Sequence, residues 1–249
     1  MTRSFDPVSA ERAASERQTQ MAQVLMVVTG ADRLELADGT QHPTGFWAEE
    51  LVELHRGLTA AGHAVDIATP AARRPTVDPG SLDPATDAGR EHAEYLDSIS
   101  ATLDRPLDLA GIRSGAYDAI VLPGGHGPMA DLASDADLGR LLIDAVDRDA
   151  VVGVLCHGPA GLLSAVRHDG SFAFAGRELA VFSDEEERLG GLGDKTPYLV
   201  ESRLRELGAV IRDGDPWSST VVIDGALVSG QNPQSSAATA EAVVARLAG

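Results

Sequence analysis

Cysteine is almost absent from this chain. Cys156 is the only one in 249 residues, which excludes intramolecular disulfides and cysteine-rich zinc sites. Basic residues are scarce, 20 Lys and Arg against 38 Asp and Glu, for a net charge of -18. A nucleic-acid partner is therefore not expected, because phosphate binding needs clustered positive charge. No apolar run approaches the ~20 residues of a membrane span, and no charged-then-apolar signal peptide opens the chain. With one free thiol and no signal sequence, the expected setting is a reducing cytoplasm, without a membrane partner. Aromatic residues make up only 4%, which counts weakly against a chaperone that holds clients on an exposed apolar patch. Residues 1–20 are polar without a helical stripe and are expected to form a loose arm. Residues 21–249 are expected to form a single domain, long enough to bury a sizeable core.

Around the lone cysteine the sequence is dense with signals. Val151-Val152-Gly153-Val154-Leu155 reads as a strand buried on both faces. Pro159 and the apolar residues after it read as a helix, with proline tolerated in the first turn. Cys156 thus stands where strand turns into helix, the position of a nucleophile elbow, and the helix N-terminus would favour a thiolate. A lone Cys after an apolar strand can equally be a small core hydrophobe. The adjoining His157 and the glycines at 158 and 161 favour chemistry, with a thiol pKa below the ordinary value.

Strands and helices alternate through the rest. Val24–Val28 and Ala64–Ala68 read as strands around a helix N-capped by Thr44. That helix carries Trp47, Leu51, Leu54 and Leu58 on one face. At 100° per residue Glu50 falls about 70° from the centre of that stripe and Glu49 nearly opposite, so Glu50 flanks the buried face. Between about residues 70 and 116 prolines and glycines break the pattern, apart from one short helix within Arg90–Leu103. The stretch reads as an insertion capping the site. Tyr117–Leu122 is a strand running into Pro123-Gly124-Gly125-His126-Gly127, either a tight turn or a cradle of N–H groups for an oxyanion. Glu178–Phe182 reads as a further strand, followed by the acidic run Ser183–Glu187, a mostly solvated helix start. Val221–Val228 is a hairpin with Asp-Gly at its turn, and Asn232-Pro233 caps the last helix. The fold class is α/β, a mostly parallel sheet with helices on both faces.

Four motifs in order, Thr44-Gly45-Phe46-Trp47-Ala48-Glu49-Glu50, Leu122–Gly127, Cys156-His157-Gly158-Pro159 and Val228–Pro233, resemble the ThiJ/PfpI superfamily. The resemblance runs from about Val24 to the C-terminus. It implies a class I glutamine amidotransferase-like, flavodoxin-like sandwich and, from the long excursion, the branch of heat-shock chaperones and glutathione-independent glyoxalases. It further implies Cys156 as nucleophile, His157 as its neighbouring histidine, Glu50 as the acid that hydrogen-bonds the thiol, and Glu187 as the acid orienting the histidine. Glu186 is the alternative to Glu187. The backbone N–H groups of Gly125 and His157 would form the oxyanion hole. The resemblance implies a homodimer, and the expectation is no cofactor and no metal. No His follows His168, so the His-x-Glu of a glutamine amidotransferase is missing. The expected activity is cysteine-dependent, glutathione-independent conversion of a small dicarbonyl such as methylglyoxal to lactate, or deglycation. The alternatives are a stress chaperone (holdase) and a hydrolase or hydratase of an amide, peptide or isonitrile.

Overall fold

A computed structural model describes residues 21–193 and 195–249; the expected N-terminal arm lies outside them. Strand β1 (Gln23–Val27) leads to a small hairpin, β2 (Arg33–Glu35) and β3 (Gln41–Pro43), and then to helix α1 (Ala48–Ala60) and β4 (Ala64–Thr69). The excursion after β4 holds α2 (Asp87–Ser98), α3 (Ser100–Leu103) and the two-residue β5 (Leu107–Asp108). β6 (Ala119–Leu122), α4 (Gly127–Ala130), α5 (Ala136–Asp147) and β7 (Val151–Leu155) follow. The last third carries β8 (Glu178–Leu179), α6 (Asp184–Leu189), α7 (Val200–Glu206), β9 (Val210–Ile211), β10 (Val221–Asp224), β11 (Leu227–Gly230) and α8 (Ser236–Leu247).

Seven strands form one sheet in the order β10-β11-β7-β6-β1-β4-β5. Every neighbouring pair is parallel except β10 and β11, which are antiparallel as a hairpin must be. Alternation along β1 divides the core. Val24 and Met26 face Leu51, Leu54 and Leu58 of α1 and Val243 of α8, whereas Leu25 and Val27 face Leu138, Leu141 and Leu142 of α5. A strand with side chains on both faces in apolar contact must be covered on both sides, which is why this sheet is sandwiched. Among the described residues no helix is long and apolar enough to cross a membrane.

Three sequence expectations are corrected. Trp47, not Thr44, is the N-cap position of α1; the Thr44 hydroxyl instead donates to Asp78 Oδ2 at 2.7 Å. The strand expected over Glu178–Phe182 shrinks to two residues paired with β9 in a separate parallel pair. β10 occupies the place beside β11, and the segment is tied to the main sheet through side chains, with Glu178 N donating to Asp224 Oδ2 of β10 and Ala180 N to Ser229 Oγ of β11, both at 2.9 Å. Asn232 does not cap α8, which has no side-chain cap; its amide is drawn inward to a buried carboxylate.

Candidate active site

The sheet reverses its winding at β1, with β4 on one side and β6 on the other. Carboxyl ends of strands splay apart at such a point and leave a crevice. The turns after β6 and β7 meet there. Cys156 follows β7 with φ 57°, a left-handed conformation that non-glycine residues rarely hold unless their neighbours fix it. Its own backbone is pinned at both ends: its N–H donates to Gly230 O (2.9 Å) and its carbonyl accepts from Phe182 N (3.0 Å). The chain then enters a 3₁₀ turn, Gly158–Ser164, in place of the expected α-helix.

The Gly-rich turn after β6 is shaped by contact. A Cβ at Gly124 would stand 2.6 Å from His157 N and 2.9 Å from Glu50 Oε2, so only glycine lets the two turns close. The Thr44–Trp47 stretch is threaded between this turn and the excursion, with Trp47 N donating to Gly124 O (3.0 Å) and Phe46 N to Thr76 O (2.9 Å). That threading fixes the start of α1 and drives Glu50 inward. Glu50 is fully buried and Glu49 half-buried, as the helical phase predicts for Glu50, although Glu49 is less open to solvent than expected.

Glu50 Oε2 accepts from Gly124 N at 2.6 Å, while Oε1 is buried without a hydrogen-bond partner. Burial pushes this carboxyl up to about 8, against the pull of the Gly124 N–H. Burial and then the Glu50 carboxylate push the Cys156 thiol up, opposed by the N–H groups of His157 and Gly125. The sequence-based expectation of a lowered thiol pKa is therefore corrected. A 3₁₀ turn replaces the helix whose dipole was to stabilise the thiolate, and the sulfur is almost fully enclosed. The N–H groups of His157 and Gly125 lie near enough to the sulfur to favour its thiolate, against these larger opposing effects.

His157 Nδ1 lies 3.3 Å from Cys156 Sγ, and its Nε2 lies 2.6 Å from Glu187 Oε2. Burial foremost, then the adjacent His126, holds His157 below its ordinary value. The neutral ring donates Nε2–H to Glu187 and turns an Nδ1 lone pair to the thiol. Burial alone would raise Glu187, but His157 and hydrogen bonds from both histidines hold it well below the usual carboxylate range. Glu186, the alternative, is buried for another reason: it closes the capping box of α6 with Ser183 and binds Gln231 and Asn232. Burial of both residues also overturns the reading of this run as mostly solvated.

His126 escaped the sequence reading. Its Nε2 lies 2.9 Å from Glu187 Oε1 and its ring centroid 4.2 Å from that of His157. The signal was its place in the same Gly-Gly-His-Gly turn that supplies Gly125. Among the described residues, His126, His157 and Glu187 come nearest to a metal-ligand set, with ligand atoms within 4.8 Å of one another. Their 2.6 and 2.9 Å separations are hydrogen bonds. Donors around one zinc ion at ~2.1 Å would stand roughly 3.4 Å apart, so the trio is arranged as a hydrogen-bonded set centred on Glu187.

These groups open onto a cavity of about 300 Å³ that Cys156, His157, Gly125, His126 and Glu187 all line, with Asp78–Gly80 of the excursion across from them. An elbow cysteine, a Glu from α1 and the Gly-Gly-His turn meet here in the order the four motifs set. The DJ-1/PfpI family profile matches residues 43–246. The chain belongs to the DJ-1/PfpI family. Among its relatives, the protein/nucleic acid deglycase HchA of Pseudomonas aeruginosa is 28% identical over 223 residues, 86% of this chain and 76% of that protein. Glyoxalase 3 of Candida albicans is 26% identical over 236 residues, 90% and 98% of the two chains. The solved structure of the Rapid Encystment Protein of Francisella tularensis superposes with a TM-score of 0.82 at 29% identity, covering 91% of this chain and 99% of that one.

Proposed function

We propose that this chain is a cysteine-dependent, glutathione-independent glyoxalase that converts methylglyoxal and related small dicarbonyls to 2-hydroxy acids. The observation that carries the reading is the geometry at Cys156: one thiol flanked by a neutral imidazole and a protonatable carboxyl, under two N–H groups. Relatives named as a glyoxalase and a deglycase support it. Deglycation would use the same nucleophile, observed through released dicarbonyl.

Each group has a step suited to it. His157 Nδ1 takes the thiol proton as sulfur adds to the aldehyde carbon. Glu50, still protonated near neutrality, gives its proton to the aldehyde oxygen and completes a hemithioacetal. The resulting Glu50 carboxylate removes the hydrogen from that same carbon. The electrons form the enediol, and His157 returns its proton to the former keto oxygen. Glu50 then protonates the second carbon while His157 takes the hydroxyl proton of the first, leaving a lactoyl thioester on Cys156. Water then adds to the thioester carbonyl and gives one proton to Glu50, the departing sulfur takes its proton from His157, and the lactic acid product releases its own proton to solvent as lactate. A carboxyl near 8 suits this alternation, because an acid–base group works best with a pKa close to the working pH. Glu187 holds His157 in the required tautomer, and the N–H groups of Gly125 and His157 hold the oxyanion.

The test is intact-mass spectrometry of protein quenched in acid during methylglyoxal turnover. A lactoyl adduct mapping to Cys156 is expected. Steady lactate formation with an adduct elsewhere, or with none under conditions that trap thioesters, would contradict the covalent route.

A further inference from the structure

Two of the five non-glycine residues at positive φ among the described residues line the same cavity: Cys156, and Trp217 at φ 62°. Bulky residues avoid this conformation, and it persists where surrounding contacts fix it. For Trp217 that contact is its own N–H, donated to Glu186 Oε1 at 2.8 Å. Glu186 is fully buried. Its Oε1 also accepts from Asn232 Nδ2, and its Oε2 from Ser183 N, Ser183 Oγ and Gln231 Nε2. The carboxylate thus ties the α6 N-terminus, the segment after β11 and the Trp217 turn into one piece.

The ring so placed extends a wall. Trp217 meets Phe182 edge-on at 5.6 Å, and Phe182 lies tilted against His157 at 4.4 Å. Flat aromatic surface therefore runs from the half-exposed mouth down to the imidazole beside Sγ. Pro43, Trp47, Pro79 and Leu192 add apolar surface, and among the described residues no Lys or Arg lines the cavity, whereas Asp78 and Glu187 do. A three-carbon dicarbonyl at Sγ would leave most of this wall in contact with water, and an anionic substituent would meet no cation. We infer that, on the dicarbonyl reading above, the substrate class of this site is neutral α-oxoaldehydes bearing a flat apolar or aromatic arm. Trp217 is the specificity-determining residue that takes the arm, held in place by Glu186 as a positioning residue.

The experiment uses the full chain in two arms. Calorimetric titration with acetophenone, acetone and 4-acetylbenzoate reads the cavity without chemistry, and turnover of phenylglyoxal against methylglyoxal reads it with chemistry. Acetophenone should bind at least about tenfold more tightly than either other ketone, as stacking and apolar burial of one ring imply. Phenylglyoxal should show a KM lower by a similar factor, with kcat little changed. Trp217→Gly, which removes the ring and suits positive φ, should erase both preferences, bringing acetophenone affinity to that of acetone and the phenylglyoxal KM to that of methylglyoxal. Trp217→Phe should keep part of them. Equal affinity for acetone and acetophenone, tight binding of 4-acetylbenzoate, or a preference that survives Trp217→Gly would overturn the inference. A chain that turns over neither dicarbonyl yet binds acetophenone through Trp217 would lose the proposed reaction and with it the oxoaldehyde class, and keep only Trp217 as the residue that takes a flat, uncharged arm. One that makes lactate without ring preference would do the reverse.

Discussion

Glu50 and Glu187 both approach the Cys156–His157 pair, and their surroundings push them in opposite directions. Folded Glu50 keeps its proton up to about pH 8, whereas an unfolded glutamate loses it near 4.3. Between those limits the folded state binds more protons than the unfolded one, so Glu50 makes stability fall as pH rises, by about 1.4 kcal/mol per unit at most. Glu50→Gln cannot titrate. The Tm of that variant relative to wild type should therefore climb from pH 5 to pH 8 and level off above; a flat difference would contradict the buried, protonated carboxyl. Glu187 has the reverse sign. Its folded value lies below the unfolded one, so its contribution is present above about pH 4.3 and lost as pH falls further. Glu187→Gln should flatten the acid side of the stability curve in thermal melts. Activity separates neighbours as sharply: Glu50→Gln should lower kcat/KM by about 10²-fold or more, as loss of a positioned acid–base does, and Glu49→Gln should leave it within about twofold. Equal losses would mean that the wrong face of α1 meets the thiol. Glu50 was legible because helical phase needs only spacing. The thiol's pKa was not, because burial and a like charge from another element are invisible along the chain.

α6 is where single-chain reasoning left two carboxylates undecided. Adjacent helical residues point about 100° apart, so Glu186 and Glu187 must serve different neighbours. Ser183-Asp184-Glu185-Glu186 carries the Ser-x-x-Glu of a capping box, and the structure makes that box. The pattern would have reserved Glu186 for the helix start and left Glu187 for the histidine. What no pattern shows is that Glu186 also binds Trp217, Gln231 and Asn232. Glu186→Ala removes a buried acceptor from all of them and should cost roughly 3 kcal/mol or more, since each hydrogen bond to a charged group contributes about 1.5–3 kcal/mol and the losses overlap. Glu185→Ala, on the exposed side, should stay within about 0.5 kcal/mol. Denaturant unfolding of the two variants decides; similar midpoints would remove Glu186 from its place at the centre of this network.

Across the whole molecule, strand–helix alternation made the sandwich legible, and the apolar runs at Val24–Val28 and Val151–Leu155 marked strands covered on both faces. The order of strands is less readable, because it depends on which edge each crossover finds free. β8 shows this: β10, folded back onto β11, takes the position there, and β8 pairs with β9 outside the main sheet. The same winding sets the chemistry by bringing three turns from distant parts of the chain to the carboxyl ends of β1, β6 and β7. A site assembled this way around one thiol makes a simple demand on the purified protein. Methylglyoxal with no added thiol should yield lactate, measured enzymatically, at a rate well above buffer. Cys156→Ala and Cys156→Ser, with circular dichroism spectra and Tm matching wild type, should yield none above buffer. Lactate that persists in those variants, or never forms with wild-type protein, would contradict Cys156-dependent dicarbonyl conversion.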